Sequence, residues 1–215
     1  MEKQWRCTVC GYIHTGDNPP DVCPICGVDG SFFEAINESS EPVSQEKPHT
    51  EVKPIAQDLT PEEEIRKSLY RISYGLFIIT AQYEGKDNGQ CANTCFQITS
   101  DPARIAIGIN KNNYTHELIS KSGCFGVSIL DQKGHDLARG FGYRSGRGIN
   151  KFEGVNAHRG ENGFLLLDDV LTTLEARVIG QLDAGTHTLF LADVVKAELL
   201  HEGEPMTYAF FRASK

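Results

Sequence analysis

Arg104-Ile105-Ala106-Ile107-Gly108-Ile109-Asn110, running directly into Lys111-Asn112-Asn113-Tyr114-Thr115-His116, is the stretch from which the fold of this chain is read. Its first half, rich in isoleucine, predicts a strand. Its second half breaks that run with Asn and Lys, and a short helix is predicted from Tyr114-Thr115 to Gly123, where glycine can end it. Residues 124–130 return to a β pattern. Working outward, residues 76–81, 174–182, 186–195 and 197–200 are also read as strands, punctuated by Gly and Asn/Asp turns. So many strands with so few helices predict a mainly β barrel with added helices rather than a doubly wound parallel sheet.

Upstream, Thr60-Pro61-Glu62-Glu63 carries a helix start: Thr60 can cap, Pro61 suits the first helical position and Glu63 can complete a capping box. Ile65, Leu69 and Ile72 recur at helical spacing and are expected to form its buried stripe. Residues 37–58 are Ser, Glu, Pro, Gln, Lys and Thr with isolated apolar side chains, the composition of a flexible linker. Residues 1–36 are rich in Cys, Gly and Pro and too few to fold on apolar burial alone, so this segment needs a staple. The expected organisation is a small metal-knuckle domain over 1–36, a linker over 37–58 and the barrel over 59–215.

The 215 residues carry a formal net charge of −8 with 40% hydrophobic and 23% charged residues, a globular composition. An acidic chain without a Lys/Arg-rich run argues against a dedicated partner among nucleic acids or anionic membranes. The first residues hold no apolar signal-peptide core, and no run of about 18 apolar residues occurs, so a cytoplasmic protein is expected. Of seven cysteines, Cys7, Cys10, Cys23 and Cys26 form two pairs. That spacing in a reducing compartment points to metal rather than to disulfides.

Cys7-x-x-Cys10-Gly11 and Cys23-Pro24-Ile25-Cys26-Gly27 are two similar knuckles. Four thiolates so spaced can close a tetrahedron, which suits zinc or iron, and from the cysteines alone both stand. Each following glycine permits the positive φ of a tight turn. The aromatic surround of Trp5, Tyr12, Phe32 and Phe33 adds a second signal. Together these residues resemble a rubredoxin in the shortened form found at the tail of rubrerythrins. That resemblance implies mononuclear iron held by Cys7, Cys10, Cys23 and Cys26 as a one-electron carrier. The short stretch between the cysteine pairs departs from the longer rubredoxins.

In the second half, three segments carry chemistry. Asn93-Thr94-Cys95-Phe96-Gln97 places amide and hydroxyl groups beside a β-rich core. Residues 110–116 end a strand and start a helix beside a lysine, which is the setting of an anion site. Residues 144–152 form a basic, glycine-rich loop ending at Lys151-Phe152. Taken with Tyr74-Gly75, Asp101-Pro102, Gly185-Thr186-His187-Thr188 and Pro205-x-Thr207-Tyr208, they resemble the flavin reductase-like, FMN-binding split-barrel family, in its flavoredoxin-type branch. The resemblance covers residues 69–212. It implies a six-stranded split β-barrel, a homodimer and FMN near the dimer interface. By the same resemblance Asn93, Thr94, Cys95 and Gln97 would line the ring and ribityl chain. Asn110, Lys111, Thr115 and His116 would serve the phosphate end, Lys151 would close the site, and His187 would face NAD(P)H. Phe210-Phe211 stands where this branch often has tyrosine. His135, His158 and His201 have no supporting neighbours in sequence and are expected in solvent.

Hydride transfer moves two electrons and a tetrathiolate iron accepts one, so a flavin between them is the expected converter. The fusion resembles the high-molecular-weight rubredoxins, which implies electron flow from NAD(P)H through FMN to iron and on to a flavodiiron O2 or NO reductase. Two alternatives stand beside it: a flavin or ferric reductase that releases reduced FMN, and a non-enzymatic module built on a zinc ribbon.

Overall fold

The computed structural model describes residues 3–9, 11–25, 27–36 and 59–214. The chain divides into two compact units, Met1–Asp58 and Leu59–Lys215. The expected linker, 37–58, lies outside the described residues, as do Cys10 and Cys26.

The N-terminal unit is a three-stranded antiparallel sheet in the order β2-β1-β3, from β1 (Gln4–Cys7), β2 (Ile13–Thr15) and β3 (Phe33–Ile36). Its buried centre is small, consisting of Cys7, Cys23 and Phe33 with Trp5, Tyr12 and Val28 packed against them. Trp5 anchors the entry by donating its indole N–H to the Gly16 carbonyl, 3.0 Å. So little apolar burial leaves the cysteines at the middle of the core, as a metal-stapled fold requires.

The second unit is built on a seven-stranded antiparallel sheet in the order β5-β4-β8-β11-β12-β7-β6. The strands are β4 (Phe77–Tyr83), β5 (Lys86–Ala92), β6 (Cys95–Thr99), β7 (Arg104–Asn110), β8 (Cys124–Ile129), β11 (Thr172–Asp183) and β12 (His187–Leu199). The expected mainly β barrel is present, with seven strands where the resemblance implied six. Alternate residues point inward: Ile79 and Ala81, Ile105, Ile107 and Ile109, Phe125 and Val127, Phe190 and Ala192 meet in one core. Helix α2 (Tyr114–Ser122) closes the interior with Leu118 and Ile119 and ends at Gly123 in the left-handed region, φ +70°. The two runs read at 186–195 and 197–200 belong to the single strand β12. Register shifts at Glu175/Ala176 and Val178/Gly180 of β11 absorb the irregularity that broke the pattern.

A second core lies on the other face of β4 and β8, where Leu76, Ile78 and Leu130 meet Phe141, Phe152, Leu167 and Phe211. It is supplied by α3 (His135–Gly142), the hairpin β9 (Ala157–Arg159)–β10 (Leu165–Leu167) and α4 (Tyr208–Ala213). Added helices were expected with the barrel, but none of these elements was placed from the sequence. They also give two half-buried histidines partners. His135 stacks on Phe211, with ring centroids 5.4 Å apart, and His158 Nδ1 bonds Asp168 at 2.6 Å.

Helix α1 (Pro61–Leu69) begins as expected. The Thr60 hydroxyl accepts from the Glu63 N–H and the Thr60 N–H donates back to the Glu63 carboxylate at 2.9 Å. The expected burial of its stripe is corrected: Ile65, Leu69 and Ile72 are 63%, 56% and 49% exposed. The cap specifies where the helix starts, whereas burial needs a partner surface, and within the described residues this stripe only flanks a groove bordered by Tyr70, Tyr74 and Tyr208.

Candidate functional site

Where β7 gives way to α2, the chain builds one wall of a polar cavity of about 370 Å³. Among the described residues Asn113, at the N-cap, makes no side-chain cap bond; the His116 N–H donates to the Asn113 carbonyl, which leaves the N–H groups of Tyr114 and Thr115, two residues that line the cavity, at the positive end of the helix dipole. The facing wall is Arg144, Ser145, Gly146 and Lys151. The Lys151 ammonium donates to the carbonyls of Gly89 and Phe141, both at 2.9 Å, which leaves a third N–H to spare. Burial, and then the neighbouring Arg144, hold its pKa below the ordinary lysine value.

Thr115 is fully buried at the back of the cavity, and its hydroxyl oxygen accepts from Asn88 Nδ2 at 2.8 Å. Gln90 Oε1 accepts from Asn113 Nδ2 at 3.0 Å. Two of the wall's acceptors are thus engaged, and among the described residues no carboxylate lines the cavity while Lys151 and Arg144 do. Arg147 fastens the basic loop over α2, pairing with Glu117 at 3.0 Å and lying on the Tyr114 ring, 4.9 Å from its centre. Such a donor set fits a phosphate dianion.

Beside it lies a second, less polar cavity of about 280 Å³, which shares Cys91, Gly142 and Tyr143 with the first and adds Leu76, Ala92, Asn93 and Phe211. A polar end adjoining an apolar slot suits a flat ring that carries a phosphate. Burial pushes the Cys91 and Cys95 thiols up to about 12, so both are neutral packing groups rather than thiolates.

Of the residues singled out from sequence, Thr115 and Lys151 meet in the polar cavity and Asn93 in the apolar one. Thr94 is half-buried, and its carbonyl accepts from the Gly108 N–H at 3.1 Å, a close approach that a side chain at 108 would obstruct. Gln97 is exposed and turns back to Ser100 Oγ at 3.0 Å. A separate cluster forms at the tip of the β11–β12 hairpin. Lys111 pairs there with Asp183 at 2.6 Å, outside the cavity lining. Asn110 sits opposite His187 in the β7–β12 register, and the exposed His187 touches Thr186 through Nδ1 at 2.9 Å. His116 Nε2 meets Thr188 Oγ1 at 2.8 Å, and burial followed by Lys111 lowers its pKa, which favours neutral imidazole. Asn88 and Gln90 are the cavity residues that sequence reading missed. They alternate along β5, and that period-2 spacing is the one signal that pointed to them.

In the N-terminal unit the two knuckles are congruent. Gly11 N–H donates to the Cys7 carbonyl and Gly27 N–H to the Cys23 carbonyl, both at 2.9 Å. Cys7 N–H reaches the Tyr12 carbonyl at 2.8 Å and Cys23 N–H that of Val28 at 2.7 Å. Gly11 and Gly27 take φ +77° and +76°. Cys7 and Cys23 are 0% and 1% exposed. Two matching turns that each bury a leading thiol fit one metal shared between them.

An antiparallel barrel with a donor-lined anion cavity at a helix start, carried on the same chain as a two-knuckle cysteine module, defines a flavin-type redox protein with a metal-knuckle domain. Residues 69–214 match the Flavin reductase like domain, and the chain belongs to that family. Residues 5–34 match the Rubrerythrin, rubredoxin-like domain. The chain is 46% identical over 151 residues to a high molecular weight rubredoxin of Moorella thermoacetica, a match covering 69% of this chain and 66%, just under two thirds, of that protein. It is 41% identical to a ferric-chelate reductase (NAD(P)H) of Archaeoglobus fulgidus, over 69% of this chain and 89% of that one. Among solved structures, the NADH:FAD oxidoreductase SgcE6 of Streptomyces globisporus superposes with a TM-score of 0.67 at 24% identity, covering 74% of this chain and 96% of that one. The flavoredoxin of Methanosarcina acetivorans gives 0.57 at 21%, covering 71% and 80%. These two likenesses show the fold. The families imply flavin for the barrel and iron for the N-terminal domain, and the protein is an oxidoreductase of flavin-linked electron transfer.

Proposed function

We propose that this chain takes electrons from NAD(P)H into FMN held by the barrel and passes them singly to a mononuclear iron bound by Cys7, Cys10, Cys23 and Cys26. From there they leave to a redox partner such as a flavodiiron O2 or NO reductase. The observation that carries the reading is the wall at the start of α2 that holds Arg144 and Lys151 and, among the described residues, no carboxylate, in a chain that also holds the paired knuckles. A bound flavin supplies the exchange between a two-electron hydride and single electrons. Thr115, Lys151, Arg144 and the open N–H groups of α2 hold the phosphate, and Asn93 and Thr94 border the ring. His187, at the start of β12, and Lys111, which follows β7 and pairs with Asp183 at the hairpin tip, face the incoming nucleotide. Residues 1–36, 37–58 and 59–215 serve as electron exit, tether and catalytic barrel. The homodimer implied by the family resemblance would cover Phe96 and Ile98 of β6 and Leu182 of β11, now 49%, 46% and 63% exposed.

Similarity to a high molecular weight rubredoxin supports the route through iron, and similarity at 30% identity to a putative diflavin flavoprotein is compatible with a flavodiiron partner. Similarity to a ferric-chelate reductase supports a second reading, in which reduced flavin serves a ferric complex directly. A visible spectrum with metal analysis, followed by anaerobic mixing with NADH or NADPH, separates the two. Bleaching of flavin absorbance before that of iron is expected. Zinc in protein made with ample iron, or iron that stays oxidised after the flavin is reduced, would defeat the iron route.

A further inference from the structure

Asn88 is a buried polar side chain, 3% exposed, on a strand whose neighbours face the polar cavity. Its amide nitrogen donates to Thr115 Oγ1 at 2.8 Å, and Thr115 is itself 0% exposed. A hydroxyl has one hydrogen to give. With the oxygen already accepting from Asn88, that hydrogen turns away from Asn88, and Thr115 lines the cavity. Without the amide donor the hydroxyl could rotate and present a lone pair to an anion instead. The other side of Asn88 is closely packed too: a Cβ on residue 146 would lie 1.7 Å from Asn88 Oδ1, so a side chain there must displace the Asn88 amide.

We propose that Asn88 is a positioning residue which, seated against Gly146, fixes the Thr115 hydroxyl as a donor and so makes the cavity selective for a terminal phosphate monoester. The inference rests on the reading that the FMN phosphate occupies this cavity. It extends that reading to a cavity residue whose role is to set the Thr115 hydroxyl.

The test is equilibrium dialysis of the full chain against FMN and against riboflavin, which lacks the phosphate, taking the ratio of the two affinities. Thr115→Val should lower that ratio about ten- to a hundredfold, the loss of a hydrogen bond to a charged group. Asn88→Ala should lower it about two- to tenfold, with riboflavin affinity nearly unchanged. In the Thr115→Val background Asn88→Ala should change the ratio less than about twofold, because the residue acts only through that hydroxyl. Gly146→Ala, which displaces the Asn88 amide from the opposite side, should reproduce the selective loss and decides the matter if Asn88→Ala does not fold. A ratio kept by Asn88→Ala and Gly146→Ala but lost in Thr115→Val overturns the proposal while leaving the phosphate reading intact. So does an Asn88→Ala loss of equal size in both backgrounds. A wild-type protein that binds FMN and riboflavin equally overturns the phosphate reading and the proposal with it.

Discussion

Replacing Lys151 with methionine keeps the aliphatic stem and removes the ammonium, so it isolates the cation that the structure places in the polar cavity. Two of its N–H bonds are spent on the Gly89 and Phe141 carbonyls, leaving one for a ligand. Loss of a charge-assisted bond to phosphate costs about 1.5 to 3 kcal/mol, a ten- to hundredfold weaker FMN complex. The two abandoned carbonyls also lose their donor, about 1 to 3 kcal/mol each, and the melting temperature should fall. That structural cost is common to both ligands, so the FMN-to-riboflavin affinity ratio, measured by flavin fluorescence quenching where the variant is folded, reports the phosphate contact alone. Lys111→Ala provides the contrast. Its ammonium is engaged by Asp183 on the exposed hairpin tip, and a surface pair of that kind contributes about 0 to 1 kcal/mol. The ratio should then change less than about twofold. Because burial and Arg144 depress the Lys151 pKa, wild-type selectivity should decline as pH rises, before an ordinary lysine near 10.5 would deprotonate. Selectivity lost in Lys111→Ala and kept in Lys151→Met would refute the reasoning and move the phosphate to the hairpin corner.

Cys23→Ser should abolish the red iron chromophore and lower iron content by metal analysis while FMN stays bound, since the barrel is a compact unit of its own. Deletion of residues 1–58 should leave anaerobic flavin reduction by NAD(P)H nearly unchanged and abolish or greatly slow delivery to the protein partner; full partner reduction by the barrel alone would contradict the iron exit. Glu175, 1% exposed, accepts from the N–H groups of Glu161 and Asn162 and from Asn162 Nδ2 at 2.7 to 3.0 Å. Burial pushes its pKa up, but these bonds and Lys196 together hold it below the ordinary 4.5. The folded carboxyl binds fewer protons than the unfolded one, so its contribution is complete above that value and is lost as pH falls through the folded pKa. Glu175→Gln should destabilise by about 1.5 to 3 kcal/mol in urea at pH 7 and flatten this part of the acid limb.

What the sequence made legible, and what it did not, divides along physical lines. The strand at 104–110, the helix to Gly123 and the start of α1 were readable because isoleucine alternation, a left-handed glycine and a capping box are local devices whose meaning does not depend on distant residues. β5 was not, for the reason that makes it useful. Lys86-Asp87-Asn88-Gly89-Gln90-Cys91-Ala92 contains no β-branched residue, because alternate positions turn Asn88 and Gln90 toward the polar cavity. A strand composed to serve a ligand gives up the propensity by which strands are recognised. The two lysines make the same point at the site. Both stand beside glycines, asparagines and hydroxyls, and nothing local separates them. Lys111 is claimed by Asp183, 72 positions away, whereas Lys151 is carried by its loop to carbonyls of β5 and α3 at the cavity wall. Residue type therefore states which chemistry a segment can perform, and long-range pairing decides which of two equal candidates has a charge left to offer.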